Sequence, residues 1–171
     1  TGPDVLLIHG GGGGGGVWFD QIAALSSRFR LIVPDNLFFG LSTGPAVPTN
    51  VQALTSGYLT EFMIQMGIEK ASIVGQSIGG YAATRLSIER SDLVDRLVLI
   101  SSAGFGKHLP FGFRMASLPL IDRILSREIF LIHKLFFENI TVKNRTSEQA
   151  AAYLEYAHLV RGRKHHAEAI R

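Results

Sequence analysis

The sequence contains no cysteine among its 171 residues. Without thiols the chain can form neither a disulfide framework nor a thiolate metal site. It also lacks any apolar run close to the ~20 residues that a membrane-spanning helix requires, so we predict no membrane span. Residues 1–4 include no basic or long apolar region, unlike a signal peptide. These absences together favour a cytoplasmic protein.

Charged side chains are also few, at 18% of the residues against 46% for hydrophobic ones. This balance is typical of a folded protein, and the length suffices for one domain with a hydrophobic core. The net charge is +3, and the basic excess lies in the second half, ending in residues 161–166. Acidic residues are interleaved there without an aromatic platform, which favours a solvated helical surface over a site for nucleic acid. We therefore predict no nucleic-acid partner.

Apolar runs rich in Val, Ile and Leu alternate with helical patterns over the first hundred residues. The runs predict strands at residues 5–8, 31–33, 71–74 and 93–100, of which the first two are expected to be buried. The intervening patterns predict helices at residues 18–25, 51–66 and 78–88. Alternation of this kind predicts an α/β fold, with a mostly parallel sheet flanked by helices on both faces.

The predicted helix at residues 51–66 has a row of apolar side chains. Leu54, Tyr58, Phe62 and Met66 recur at four-residue steps and predict the face that packs on the sheet. Gly67 follows directly and is well placed to end the helix.

The pattern changes after residue 102. No further strand is predicted, and residues 113–125, 127–137 and 147–159 are predicted to be helical. We therefore expect a sheet-bearing core at residues 1–102, followed by a helical cap region at residues 103–171.

The strongest local pattern is the G-x-S-x-G pentapeptide at residues 75–79, between a predicted strand and a predicted helix. So tight a turn pushes its serine into a strained backbone conformation and leaves no room for bulky neighbours. Small residues are required there, as supplied by Gly75, Gly79 and Gly80. The hydroxyl of Ser77 then stands at a helix N-terminus, where developing negative charge is favoured. We predict that Ser77 is a nucleophile and that the N–H of Ile78 donates to the oxyanion.

Two more patterns precede this elbow. The first strand ends in His9-Gly10, and the second is followed by Asp35-x-x-x-x-Gly40-x-Ser42. In this order and spacing, the three patterns resemble the α/β-hydrolase family with an inserted cap, over nearly the whole chain. The resemblance implies that the core is followed by a helical lid.

Within that family, the chain is similar to serine esterases and to hydrolases that cleave C–C bonds of dicarbonyl compounds. Those members share the Ser-Ala-Gly opening of the cap, found here at residues 102–104. The resemblance implies acyl transfer, in which Ser77 attacks a carbonyl and the loop after His9 supplies a second oxyanion donor, the N–H of Gly11. His9 is then structural rather than the general base. We expect neither a cofactor nor a metal.

The predicted cap is strongly apolar. Its apolar side chains include Phe111, Phe113, Met115, Leu118, Leu120, Ile129, Phe130, Leu131, Ile132, Leu135, Phe136 and Phe137. A lid with this lining suits an acyl chain or an aromatic group, so we expect a small apolar ester or dicarbonyl substrate. The same side chains also serve to pack the cap onto the core.

The chain departs from the family pattern at three places. Phe38 stands where the family often has glycine, so the turn after Asp35 must differ. Gln76 replaces a frequent histidine beside the nucleophile and is expected to tune the pocket. Seven consecutive glycines occupy residues 10–16, and each adds to the entropy cost of folding. The run indicates either a mobile loop or a segment that has replaced the native one.

The chain lacks an obvious partner for the serine. A nucleophilic serine needs a base, and the base needs an acid that orients it; in this fold both follow the serine in the chain. Residues 101–103 are Ser, Ser and Ala where some members carry the acid. The later histidines all fall in the predicted cap, at His108, His133, His158, His165 and His166. The chain thus resembles the N-terminal two-thirds of such an enzyme, truncated at both ends, and we expect it to be inactive alone.

Two other functions remain as alternatives. Gly10, Gly12 and Gly15 after a strand, with Asp35 about twenty residues later, also satisfy the dinucleotide-binding fingerprint. A run of seven glycines satisfies any glycine motif, however, and this hypothesis leaves the elbow unexplained. The other alternative is a non-catalytic protein of the α/β-hydrolase fold that binds apolar ligands.

Overall fold

The computed structural model describes residues 2–11, 14–37, 39–42 and 51–106, together with residues 151, 155 and 156; the side chains of residues 51–55 are not described. Phe38 and the predicted helices at residues 113–125 and 127–137 lie outside these ranges. Ala151, Glu155 and Tyr156 are helical, and all three fall within the helix predicted at residues 147–159.

Four strands and three helices alternate in the described part of the chain. They are β1 (Asp4–Ile8), α1 (Phe19–Leu25), β2 (Arg30–Ile32), α2 (Val51–Gln65), β3 (Ala71–Gln76), α3 (Ile78–Glu89) and β4 (Val94–Ile100). Short 3₁₀ turns at Gly15–Trp18 and Ser91–Leu93 precede α1 and β4. The strands form one parallel sheet in the order β2-β1-β3-β4. This confirms the α/β class predicted from the alternation.

Apolar layers cover both faces of the sheet. Along β1, Leu6 and Ile8 point into the larger cluster, which contains the buried side chains of α2 and α3. Val5 and Leu7 point to the opposite face and pack with Trp18, which precedes α1. Because side chains alternate along a strand, a wholly apolar β1 is what a strand covered on both faces requires.

The apolar face of α2 differs from the predicted one. Among the side chains described for this helix, Leu59 and Met63 are fully buried, whereas Tyr58 and Phe62 are only partly buried at the margin of the cluster. Leu54 of the predicted face is one of the residues whose side chains are not described. Met66, predicted to be on the face, is 54% exposed. A four-residue step drifts around a helix with 3.6 residues per turn, so a row of such steps leaves the buried face before its end.

The end of α2 follows the prediction. Gly67 has a φ of +64°, and the N–H of Ile68 donates to the carbonyl of Met63 at 2.8 Å. This is the hydrogen bond of a Schellman-type cap, in which glycine takes the left-handed position.

The two outer strands of the described sheet are partly exposed. The strand predicted at residues 31–33 was expected to be buried, but Leu31, Ile32 and Val33 are only half-buried. Among the described strands, β2 has a neighbour on one side alone. At the other edge, Val98 and Ile100 of β4 are 49% and 41% exposed. No helix in the described ranges is long and apolar enough to cross a membrane.

Candidate active site

The parallel sheet brings two of the predicted motifs to one edge. β1 runs beside β3 with Ile8 opposite Gly75, and β3 runs beside β4 with Gln76 opposite Ile100. The residues that follow these strands, His9, Ser77 and Ser101, therefore lie along the carboxyl edge of the sheet. Ligand sites of open α/β sheets form at that edge.

Ser77 stands in a strained turn between β3 and α3. Its backbone has φ 52° and ψ −119°, a conformation that non-glycine residues rarely adopt. Its N–H donates to the carbonyl of Ile100 at 3.0 Å, and its carbonyl accepts from the N–H groups of Gly80, Tyr81 and Ala103 at 2.9–3.2 Å. The end of β4 and the first turn of α3 thus hold the serine in the conformation expected for the elbow.

Space around this turn permits only small residues. A Cβ added to Gly75 would lie 2.6 Å from the carbonyl oxygen of Gly79 and 2.7 Å from the Cα of Gly80. A Cβ added to Gly80 would lie 2.7 Å from the Cβ of Ser102. These contacts give the physical reason for the glycines: α3 crosses β3 too closely for any side chain between them.

The loop after β1 runs beside the serine. A Cβ added to Gly10 would lie 3.1 Å from the Cβ of Ser77 and 3.7 Å from its Oγ. Gly11 is exposed, and a Cβ there would meet nothing within 4 Å. Ile78 is the first residue of α3, so its N–H has no partner inside the helix. Of the predicted oxyanion donors, Ile78 follows Ser77 directly in the chain, and Gly11 follows the loop residue Gly10 that lies beside the serine.

His9 is fully buried and is used within the fold. Its Nδ1 lies 2.6 Å from the carbonyl oxygen of Gly10, and its Nε2 lies 2.9 Å from the backbone nitrogen of Asn36. A carbonyl can only accept and a backbone N–H can only donate, so the imidazole carries its proton on Nδ1 and is neutral. The Asn36 side chain also donates to the backbone carbonyl of His9 at 2.9 Å. The ring therefore fastens the loop after β1 to the segment after β2.

Asp35 is a residue whose role was missed in the sequence, although it begins the Asp-x-x-x-x-Gly-x-Ser pattern. Its carboxylate accepts from the N–H of Gly15 at 2.5 Å, the N–H of Leu41 at 2.6 Å and the hydroxyl of Tyr156 at 2.7 Å. Gly40 has a φ of +55° and abuts this carboxylate. The dinucleotide hypothesis needs Asp35 to bind a ribose, but here the carboxylate is engaged by three donors of the chain itself.

The described residues do not include a base for Ser77. His9 is the one histidine among them, and its two ring nitrogens face Gly10 and Asn36. The other five histidines lie outside the described ranges. Ser101 occupies the position of the family's alternative acid, with a φ of 45°. In the described ranges no group of three or more side chains is arranged to hold a metal ion.

Comparisons with known proteins agree on one family. The family model described as the alpha/beta hydrolase fold matches residues 3–119. Haloalkane dehalogenase 2 from Mycobacterium tuberculosis is 33% identical over 135 residues, which make up 77% of this chain and 47% of that protein. The (lyso)-N-acylphosphatidylethanolamine lipase of Homo sapiens is 36% identical over 104 residues, 59% of this chain and 30% of that protein. The chain thus spans less than half the length of the curated relatives it matches.

A solved structure gives the same fold. The epoxide hydrolase CorEH superposes with a TM-score of 0.75 at 20% identity, over 99% of this chain and 64% of that one. At this identity the likeness concerns the fold alone.

Proposed function

Because the chain belongs to the α/β-hydrolase family, we propose that it forms the nucleophile-bearing part of a serine hydrolase. Ser77 is the proposed nucleophile, and the N–H groups of Gly11 and Ile78 are the proposed oxyanion donors. The substrate class is an ester, a thioester or an activated C–C bond beside a carbonyl, carried on an apolar group. The proposal concerns this chain as part of the catalytic unit, since the relatives are longer.

The observation that carries the proposal is the backbone of Ser77. A residue held at φ 52° costs about 1–3 kcal/mol and persists only where its surroundings enforce it. Four backbone hydrogen bonds enforce it here. The serine stands directly before α3, and a hydroxyl at a helix N-terminus lies where developing negative charge is stabilised. A plain connection between a strand and a helix would not require this conformation.

The identity of the nucleophile limits the classes of reaction that the site can catalyse. One relative is a haloalkane dehalogenase by name. If a serine oxygen displaced a halide from an alkyl carbon, it would form an ether, which water does not open, and the enzyme would stop after one turnover. If the same oxygen attacks a carbonyl, it forms an ester and expels the leaving group; water then hydrolyses that ester and restores the hydroxyl. Serine at position 77 therefore favours acyl transfer over dehalogenation.

The substrate is expected to be apolar outside its carbonyl. The relative from Homo sapiens is a lipase by name, and it acts on a lipid. The residues 111–137, proposed as part of a cap, carry many phenylalanine, leucine and isoleucine side chains. Pockets lined by such side chains bury acyl or aromatic groups and leave orientation to a few polar groups.

The proton of Ser77 needs an acceptor that His9 does not provide, because the ring of His9 is fixed by Gly10 and Asn36. We place the general base and its orienting acid outside the described residues, in the order serine, acid, histidine that is usual for this fold. Without the base, the oxyanion donors still leave a residual rate, on the order of 10³-fold above water in serine proteases that lack a triad member.

Labelling with a fluorophosphonate tests the proposal. We expect the folded 171-residue chain to form a slow adduct that maps to Ser77 by mass spectrometry. Added imidazole should accelerate the labelling, because it supplies the missing base from solution. Unfolding in urea should abolish the preference for Ser77, since the elbow and the oxyanion donors are then lost.

Two variants make the assignment specific. Ser77→Ala should remove the adduct, whereas Ser101→Ala, which deletes an exposed hydroxyl at the end of β4, should leave it unchanged. An adduct spread over several serines would refute Ser77 as the nucleophile. Rapid labelling without imidazole would instead show that a base is present in the chain and that the expectation of an incomplete triad is wrong.

A further inference from the structure

Tyr156 lies against Gly14 and Gly16 of the glycine-rich loop, which is the glycine run at residues 10–16. The tyrosine is more than a hundred residues away from this loop in the sequence. Its hydroxyl donates to the carboxylate of Asp35 at 2.7 Å. Its ring packs edge-to-face on Phe19, with the ring centroids 5.8 Å apart. The side chain is half-buried by these contacts. Tyr156 therefore joins the region proposed as a cap to two segments of the core.

The glycines of the loop make room for this ring. A Cβ added to Gly16 would lie 2.5 Å from the Cδ1 of Tyr156, and one added to Gly14 would overlap its hydroxyl. A Cβ added to Gly11, by contrast, would meet nothing within 4 Å. The tyrosine occupies space that any other residue at positions 14 and 16 would fill.

Asp35 connects the tyrosine to the loop. Its carboxylate receives hydrogen bonds from Gly15, Leu41 and Tyr156, which belong to three separate segments. Its backbone carbonyl accepts from the hydroxyl groups of Ser42 at 2.7 Å and Tyr58 at 3.3 Å. The carboxylate is thus anchored from several directions, and a loop bonded to it through Gly15 shares that anchor.

The tyrosine hydroxyl is suited to remain a donor. Burial, and then the hydrogen bond to Asp35, raise the pKa of Tyr156 above its usual range. The phenol therefore stays protonated at every pH at which an ordinary enzyme assay is carried out.

A run of glycines has little intrinsic preference for one backbone conformation. The oxyanion donor proposed at Gly11 follows Gly10, where an added Cβ would lie 3.1 Å from the Cβ of Ser77. An oxyanion donor is effective only when it is held in place before the reaction. From these contacts we propose that Tyr156 is a positioning residue: through Asp35 and Gly14–Gly16 it holds the glycine-rich loop, and with it the N–H of Gly11, in the geometry that the reaction needs. This inference rests on the proposed function only for its catalytic consequence, since the effect on the loop stands apart from it.

Tyr156→Phe tests the role of the hydroxyl, because it keeps the ring against Phe19 and removes only the hydrogen bond to Asp35. We expect hydrogen exchange, followed by mass spectrometry, to become about tenfold faster in the peptide that contains residues 10–18. Exchange in residues 71–90, which contain the elbow, should not change. Tyr81→Phe is the matched control, since it removes a phenol from α3 and should leave both peptides unaffected.

The catalytic consequence is measured on the same variants with the fluorophosphonate. In Tyr156→Phe the maximal labelling rate at Ser77 should fall about tenfold. A tenfold change corresponds to an increase in the activation free energy that is typical for the loss of one hydrogen bond. The reagent concentration at half-maximal rate should stay the same, because the apolar contacts of the reagent are not altered. If Tyr156 only stabilised the fold, Tyr156→Phe would lower the amount of folded protein. The maximal labelling rate of the protein that remains folded would then be unchanged.

A second variant keeps the inference testable if Tyr156→Phe does not fold. Asp35→Asn retains an acceptor oxygen but loses the charge, and it should loosen the same peptide at residues 10–18. In the double variant the combined effect should be smaller than the sum of the two single effects, because the hydrogen bond between Tyr156 and Asp35 is common to both. Unchanged exchange in residues 10–18 of the variants would overturn the proposal. If the parent shows no adduct at Ser77, the proposed function fails while the exchange comparison still decides the role of Tyr156.

Discussion

Ser77 combines a polar side chain with a backbone conformation that suits glycine. Its neighbours in space can impose this conformation because they bond its N–H and its carbonyl from two different elements, the end of β4 and the first turn of α3. The surrounding structure therefore offsets the free-energy cost of the unfavourable backbone conformation at Ser77. Such strain is expected at a residue kept for chemistry rather than for stability.

Comparing two substitutions of Ser77 measures this strain. Ser77→Ala and Ser77→Gly both remove the hydroxyl, but only glycine relieves the positive φ. We expect Ser77→Gly to be more stable than Ser77→Ala by about 1 kcal/mol. This net difference is the relief of about 1–3 kcal/mol of backbone strain, less about 0.4–1 kcal/mol for the higher entropy of glycine in the unfolded chain. Urea unfolding followed by circular dichroism provides the free energies.

An equivalent pair at Ser72 serves as the control for that comparison. Ser72 lies in β3 and, unlike Ser77, does not have a positive φ, so Ser72→Gly should be less stable than Ser72→Ala. If Ser77→Gly is also the less stable member of its pair, the strain at the elbow is absent and the principal support for the nucleophile is lost.

At the scale of elements, the close crossing of α3 over β3 depends on glycine, whereas α2 contains a glycine that its packing does not need. We expect Gly75→Ala to destabilise the protein by about 2–3 kcal/mol or more, because its Cβ would meet the backbone of Gly79 and Gly80 at 2.6–2.7 Å. Gly57→Ala is the matched control: Gly57 is exposed in the middle of α2, and a Cβ there meets nothing within 4 Å.

The control variant should be more stable than the parent by about 0.5–1 kcal/mol, because alanine has the higher helix propensity. We therefore expect the free energy of unfolding, measured with urea, to fall in Gly75→Ala and to rise in Gly57→Ala. Equal tolerance of alanine at both positions would show that α3 does not pack on β3 as closely as described.

The local patterns predicted the type of every strand and α-helix in the described part of the sheet-bearing region, but not the two short 3₁₀ turns. The apolar run at Val5–Ile8 and the glycine at position 67 each determine their structure through near neighbours, and both predictions are confirmed. Two predictions were wrong, the buried state of β2 and the position of Met66. The first depends on which strands lie alongside, and the second on the drift of four-residue steps around a helix of 3.6 residues per turn. Burial of a strand depends on its place in the sheet, and no local pattern carries the order β2-β1-β3-β4.

The contacts of Asp35 could not be predicted from local sequence patterns either, because they join segments that are far apart in the chain. Tyr156 is 121 positions away from Asp35, and nothing in the helical pattern of residues 147–159 marks that tyrosine among its neighbours. The spacing from Asp35 to Gly40 did contain the signal, since a glycine with positive φ abuts the carboxylate. The pattern belongs to the family resemblance, and the structure shows its physical role, which is to bring the backbone against the carboxylate.

At the scale of the whole molecule, β4 is one of the two outer strands of the described sheet, and its exposed side chains are apolar. Among the described strands it pairs only with β3, and Val98, Leu99 and Ile100 are each more than a third exposed. A strand edge of this apolar composition pairs readily with another chain. We therefore expect the 171-residue chain to associate as its concentration rises, with β4 at the contact.

Val98→Lys tests this expectation, because a charge on an edge strand opposes pairing with a second strand. The mass measured by light scattering during size-exclusion chromatography should shift toward the monomer in this variant, with little change in the free energy of unfolding, since Val98 is already 49% exposed. Ile88→Lys is the control: Ile88 is 70% exposed on α3, so the same charge is added away from the sheet edge. If both lysines reduce association equally, net charge is the cause; if neither does, β4 is not the contact, and the exposed strand is covered in some other way.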